Sequence, residues 1–143
     1  GAGLSMALGD HRYSWYNWIA AASGYLPATE SEELKVLLDS KQENTLIMAA
    51  GYVIEKTKLN GTYKDYMNST IGSLTVKDTS LASSFQSINR AGDFIATTNY
   101  DLLIEKATGL DNYSYTQSGS ILKSLKGDME RKIIHLHGLY DSK

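Results

Sequence analysis

Three short stretches of the sequence carry groups that can do chemistry. Gly1-Ala2-Gly3-Leu4-Ser5 sets two glycines beside a hydroxyl. Glycines so spaced permit a tight turn and let backbone N–H groups come close to a pyrophosphate, although the third glycine of a GxGxxG fingerprint is absent. Thr97-Thr98-Asn99-Tyr100-Asp101 follows the apolar run Phe94-Ile95-Ala96 and precedes the helical pattern Leu102, Leu103, Ile104, Ala107. A strand that ends in hydroxyls, an amide and a carboxylate has hydrogen-bonding groups to offer a ligand. Lys132-Ile133-Ile134-His135-Leu136 runs into His137-Gly138, and histidine is the side chain suited to proton transfer near neutral pH.

Each stretch also has a plain structural reading. The glycines read equally as an ordinary loop. Asp101 stands where a helix N-cap belongs, and Asn99 is placed to satisfy loop backbone. A histidine in a strand is often a satisfied structural residue. His11, between Asp10 and Arg12, reads as an exposed loop residue, and Trp15, Tyr16 and Trp18 at helical spacing read as core.

The elements that must position these groups follow from periodicity. Ser14 can cap a helix carrying Trp15, Trp18, Ile19 and Ala22, with Gly24 near its end and Pro27 as a stop. Thr29 and Glu32 have the form of a capping box ahead of Leu34, Leu37 and Leu38. Asn44 is a candidate cap for a helix through Leu46, Ile47, Ala50, Tyr52, Val53 and Ile54, and Asn60-Gly61 signals a turn. Two weaker helical patterns cover 62–71 and 80–90. After Gly92 the pattern changes to strand (Phe94 to Thr98), helix (Asp101 to Thr108, ended by Gly109), short strand (Tyr113 to Thr116), helix (Ile121 to Leu125) and strand (132–136). Buried strands alternating with helices imply a parallel α/β sheet. In such sheets ligands bind outside the carboxyl ends of the strands. If the strands are neighbours, the three polar stretches converge on one crevice.

Composition removes other classes. The 143 residues are 42% hydrophobic and 21% charged, an ordinary globular balance long enough for a real core. A net charge of −2 gives no footprint for direct nucleic-acid binding or for an anionic membrane. The apolar run Leu46 to Ile54 is far short of the roughly 20 residues of a transmembrane helix. With no signal peptide and no cysteine, a cytoplasmic protein is expected. There is no GxSxG elbow, P-loop, HExxH or cysteine ligand set. The chain opens directly on the glycines; if they form a turn after a strand, that strand precedes the chain, and an incomplete domain is expected.

Taken in order, "GAGLS", "TTNYD" and "HLHG" resemble the GAG-x-S, T-x-N-x-D and L-H-G motifs of the sirtuin superfamily. The stretch after the glycines, "MALGDHRYSWYNWI", lacks the Gly-Ile-Pro-Asp-Phe-Arg loop of sirtuin deacylases, and Thr98-Asn99-Tyr100 replaces their usual Gln-Asn-Ile. Both departures resemble the bacterial sirtuin-like domains that hydrolyse NAD in anti-phage defence. The resemblance implies an α/β fold with a Rossmann-like parallel sheet and a helical insertion. It implies one incomplete NAD-binding domain over 1–143, with a helical module at about 14–90 and strands at about 93–98 and 132–136. It implies an NAD+ glycohydrolase that cleaves the nicotinamide–ribose bond, with NAD+ as substrate and no metal. The parent protein is expected to be a homo-oligomer or to carry a fused sensor domain. Gly1, Ala2, Gly3 and Ser5 would cradle phosphate, and Thr98 would join them in the nucleotide site. Asn99 would order ribose or water, Asp101 would hold the nicotinamide carboxamide, and His137 would bind ribose hydroxyls and act as general base. Two other readings of the motifs are an NAD-dependent protein deacylase and a non-catalytic sensor of an NAD-type ligand.

Overall fold

A computed structural model describes residues 2–9, 14–39, 43–127 and 130–140; Gly1 and His11 lie outside the described residues. In chain order the helices are α1 (Ala2–Leu8), α2 (Trp15–Ala21), α3 (Ala28–Asp39), α4 (Glu43–Leu59), α5 (Tyr63–Met67), α6 (Thr79–Ala91), α7 (Leu103–Thr108) and α8 (Ser118–Leu125). The strands are β1 (Ala96–Thr97), β2 (Asn112–Ser114) and β3 (Ile133–His135). They fall into two compact units, one of residues within 12–73 and one of residues 2–9 with 74–140. The helical module expected to reach about residue 90 therefore stops at Ser73. Helix α6 belongs to the sheet unit, where it packs against α7 and buries Ala82.

The helical unit is assembled by local rules. Ser14 Oγ accepts from the Asn17 N–H at 3.2 Å and starts α2 as its residue type predicts. The chain then tightens into a 3₁₀ turn over Ala22–Tyr25. Helix α3 begins one residue ahead of the Thr29 cap position, with the Pro27 carbonyl accepting from Ser31 N–H. Proline fits a helix start because its fixed φ is already helical. Likewise α4 begins at Glu43, so Asn44 lies inside it. At its other end Thr62 N–H reaches the Thr57 carbonyl and Gly61 N–H the Lys58 carbonyl, the Schellman pair, with Gly61 at φ 70°. Ile19, Leu34 and Val53 are fully buried, and the buried Tyr66 donates its hydroxyl to the Trp18 carbonyl at 2.7 Å. Trp18 packs on Tyr66, but Trp15 and Tyr16, expected in the core, are half exposed. They sit on the first turn of α2, and Trp15 meets Trp18 only edge-on.

In the sheet unit the three strands pair in the order β1-β3-β2, both pairs parallel. Ala96 lies opposite Ile134, and Thr97 and Ser114 both lie opposite His135. The central strand β3 is buried at every position, as a parallel strand covered on both faces must be, whereas β1 alternates exposed and buried. The strand expected over Phe94 to Thr98 is shorter in consequence. Its ladder runs from the Ile95 carbonyl, which accepts from Ile134 N–H, to the Thr97 carbonyl, which accepts from Leu136 N–H. Phe94 stays exposed outside the ladder. Among the described residues no helix is long and apolar enough to cross a membrane.

The fully buried Ile133 anchors the central strand. Ile133→Ala should cost about 2–5 kcal/mol through lost transfer energy and a residual cavity. Leu122→Ala, at an exposed position of α8, should stay within about 0.5 kcal/mol. Urea midpoints measure both; equal losses would mean that β3 is not the core of the unit.

Candidate functional site

The carboxyl ends of parallel strands lie on one edge, and there the chain brings its polar stretches together. Thr97 turns the backbone first, its hydroxyl accepting from the Asn99 N–H at 3.0 Å. The N-cap of α7 is Leu102 and not Asp101; Asp101 lies one residue ahead of it and leads into the helix through an Asx bond, Oδ1 accepting from Leu103 N–H at 3.1 Å. Helix α1 delivers Ser5. Its far end is pinned by the Leu8 carbonyl, which accepts from the N–H groups of Lys77 and Asp78. Gly9 permits that approach, since a Cβ there would lie 2.9 Å from the Ser5 carbonyl oxygen and 3.2 Å from Leu103.

The product is a closed set of buried hydrogen bonds. Ser5 Oγ donates to Asp101 Oδ2 at 2.5 Å. Asn99 Nδ2 donates to Ser5 Oγ at 3.1 Å and to Asp101 Oδ2 at 3.2 Å. Because the carboxylate and the committed hydroxyl both need donors, the amide nitrogen must face them, and this fixes the Asn99 side chain. Its oxygen, Oδ1, is buried and has no partner among the described residues. Buried amide oxygens are rarely left so.

A second layer lies behind this set. His135 on β3 is fully buried. Its Nδ1 lies 2.8 Å from the Asn99 carbonyl oxygen and its Nε2 lies 2.6 Å from Glu105 Oε1. Burial alone disfavours the imidazolium, but the Glu105 hydrogen bond, the Asn99 carbonyl and the Glu105 and Asp101 charges outweigh it, so the pKa stands above the usual histidine value. Glu105 Oε2 is buried without a partner among the described residues.

The positions expected to form the site are divided by this geometry. Ser5, Asn99 and Asp101 come together although 94 and 96 residues separate Ser5 from its partners. His137 lies exposed just past β3. Its segment stays beside the Asn99 loop, since Leu136 N–H reaches the Thr97 carbonyl and Tyr140 N–H the Tyr100 carbonyl. Gly138 turns that segment at φ 100°, a conformation glycine tolerates, with the Tyr115 ring 3.6 Å from where a Cβ would be. Among the described residues no hydrogen bond joins His137 to the Ser5–Asn99–Asp101 set. Thr98 is exposed. Ala2 and Gly3, expected in a non-helical turn, are instead the first residues of α1. A Cβ at Gly3 would meet no atom within 4 Å, so packing within the chain makes no demand for glycine there. Thr97, Glu105 and His135 support the Asn99 loop from outside the set, beyond the expected residues. The one sequence signal for His135 was a titratable residue inside the otherwise apolar Ile133-Ile134-His135-Leu136.

Among the described residues no group of three or more His, Cys, Asp or Glu side chains is placed to hold a metal ion. An open cleft of about 710 Å³ that includes Gly92, Phe94, Gly127 and Arg131 lies at the amino ends of β1 and β3, the wrong end for a site of the parallel-sheet kind. The chain is thus an α/β protein with a small parallel sheet and a buried Ser–Asn–Asp hydrogen-bond set at the strand ends. No family model, no curated protein and no solved structure matches it.

The histidine gives a signed pH dependence. Its folded pKa is raised, so the stability it contributes is fully present below the unfolded value of about 6.5 and is lost as pH rises through the folded value. The wild-type melting-temperature advantage over a Glu105→Gln/His135→Gln double variant should narrow steadily from about pH 6 to pH 9. An advantage that is flat or grows over that range would contradict the assigned imidazolium.

Proposed function

We infer that this chain is a sirtuin-like NAD+ glycohydrolase domain that cleaves the nicotinamide–ribose bond. The observation that carries the reading is the union of Ser5, Asn99 and Asp101 in one buried set with Asn99 Oδ1 left for a ligand. Nothing local requires residues so distant in sequence to meet, whereas the resemblance requires it.

The chemistry asks little of the protein. Nicotinamide leaves NAD+ as a neutral molecule from a cationic centre, so no general acid is needed. The tasks are to hold the ribose, to accept developing positive charge at its anomeric carbon, and to place a water. Asn99 Oδ1, an acceptor with fixed direction, suits a ribose hydroxyl or that water. Asp101 Oδ1 and Oδ2 already accept from Leu103 N–H, Ser5 and Asn99. Of about four acceptor positions on a carboxylate, three are taken, so its first duty is to aim Asn99 and the fourth remains for the carboxamide. Ser5 likewise faces inward, and phosphate recognition falls to the backbone near Gly3, where the open space suits close approach. His137, exposed at the rim, serves as the general base. The three parallel strands are in this reading part of a Rossmann-like sheet. The enzyme depletes the cytoplasmic NAD+ pool in antiviral defence, within a parent that oligomerises or carries a sensor domain.

The test is NAD+ consumption and nicotinamide release by the purified parent protein, without any acylated peptide. His137→Ala should lower the rate by ~10²–10⁴ and leave the melting temperature nearly unchanged, because the side chain is exposed. Asn99→Ala should lower it by about 10² through lost positioning and cost about 1 kcal/mol of stability for its hydrogen bonds. Gly3→Ala should keep or raise stability, since alanine favours helix over glycine by roughly 1 kcal/mol, while weakening NAD+ binding. Undiminished hydrolysis in both His137→Ala and Asn99→Ala would remove the proposed site. A strict requirement for an acylated peptide would replace hydrolysis with deacylation.

A further inference from the structure

His135 is placed where its protonation state decides whether the Asn99 loop is held. A backbone carbonyl can only accept, so the contact of Nδ1 with the Asn99 oxygen requires an Nδ1–H. The ionised Glu105 carboxylate can also only accept, so the contact of Nε2 with Oε1 requires an Nε2–H. Both bonds exist together when the ring carries two protons. A neutral imidazole has one N–H and must give up a partner. The carboxylate is the stronger acceptor, and with Oε2 buried and unpartnered its charge depends on His135 for an answer. The neutral ring therefore keeps Glu105 and turns a lone pair on the Asn99 carbonyl. Repulsion between those lone pairs frees the residue whose side chain aims Oδ1.

The geometry points to Glu105 and His135 as positioning residues that hold the Asn99 backbone while the imidazole carries both protons and release it when one is lost. The charged groups facing His135 are Glu105 on α7 and Asp101 ahead of it. Its register partners on β1 and β2, Thr97 and Ser114, are neutral. Both carboxylates favour the doubly protonated ring, so the hold extends above the pH at which a free imidazole would lose it and is lost on the alkaline side of the raised pKa. Neither residue touches the ligand face. For its kinetic readout the inference rests on the NAD+ reading; for its structural readout it does not.

Two measurements on the parent protein test it. In the first, nuclear magnetic resonance follows the His135 ring nitrogens and the Asn99 side-chain and backbone amides across pH. The Asn99 signals should shift with the same midpoint as His135 loses a proton; Asn99 signals that ignore that midpoint overturn the inference. In the second, NAD+ hydrolysis is profiled against pH. A general base at His137 gives an acid limb, whereas loss of the hold should give an alkaline limb of roughly a hundredfold, the cost of misplacing a reacting group by about 1 Å. Glu105→Gln separates the two histidines further. A glutamine amide can donate to Nε2, so a neutral ring keeps its Nδ1–H on the Asn99 carbonyl, and the alkaline limb should vanish with activity retained. An alkaline limb that persists in Glu105→Gln also overturns the inference. A wild-type protein that never cleaves NAD+ removes the proposed function alone, and the Asn99 signals still decide the positioning claim.

Discussion

The Asp101 carboxylate lies almost wholly out of water, and three donors from three separate segments converge on it: Ser5 from α1, Asn99 from the loop after β1, and Leu103 N–H from α7. A buried charge without such partners would cost several kcal/mol. Much of the sheet unit can be read as the means of bringing the three together. The Leu8 carbonyl and Gly9 fix where α1 ends, the Asx bond of Asp101 fixes where α7 begins, and the Thr97 hydroxyl bends the strand end between them. Removing any donor leaves the other two to answer the same charge, so the set behaves as a unit.

Within the set the hydrogen bonds are closed, and Asn99 Oδ1 is left buried without a partner among the described residues. The set leans on His135 of β3, which meets the Asn99 carbonyl through one ring nitrogen and Glu105 of α7 through the other.

How much of this could be read from the sequence depends on the range of each interaction. Ser14, Gly61, Gly92 and Gly109 mark helix ends in the structure as their types foretell, because capping is settled within about four residues. The Thr29 and Asn44 caps are not used, since α3 and α4 each begin one residue ahead of them, at Ala28 and Glu43. The parallel strands were legible in type and not in length, since edge exposure of β1 is a property of its neighbours. Ser5, Asn99 and Asp101 were legible as polar groups at strand ends, and their meeting was an inference from topology. The His135–Glu105 contact was not legible. No spacing rule joins a strand residue to a helix residue 30 positions away, and His137 two residues later offered the more familiar motif.

The long separations also set the order in which the chain can acquire its site. Ser5 must find partners 94 and 96 residues away, and closing a flexible loop costs entropy that rises as the logarithm of its length, about 0.6 kcal/mol per doubling. The helical unit lies inside that loop. Its helices are built on short-range bonds, such as the i+4 and i+5 bonds that end α4, and contacts of that kind form early. Once it has folded, the segment between Ser5 and Asn99 is no longer a free coil of its full length, and the closure that remains spans far fewer mobile residues. The insertion that contributes no side chain to the hydrogen-bond set thereby shortens the kinetic path by which the set forms.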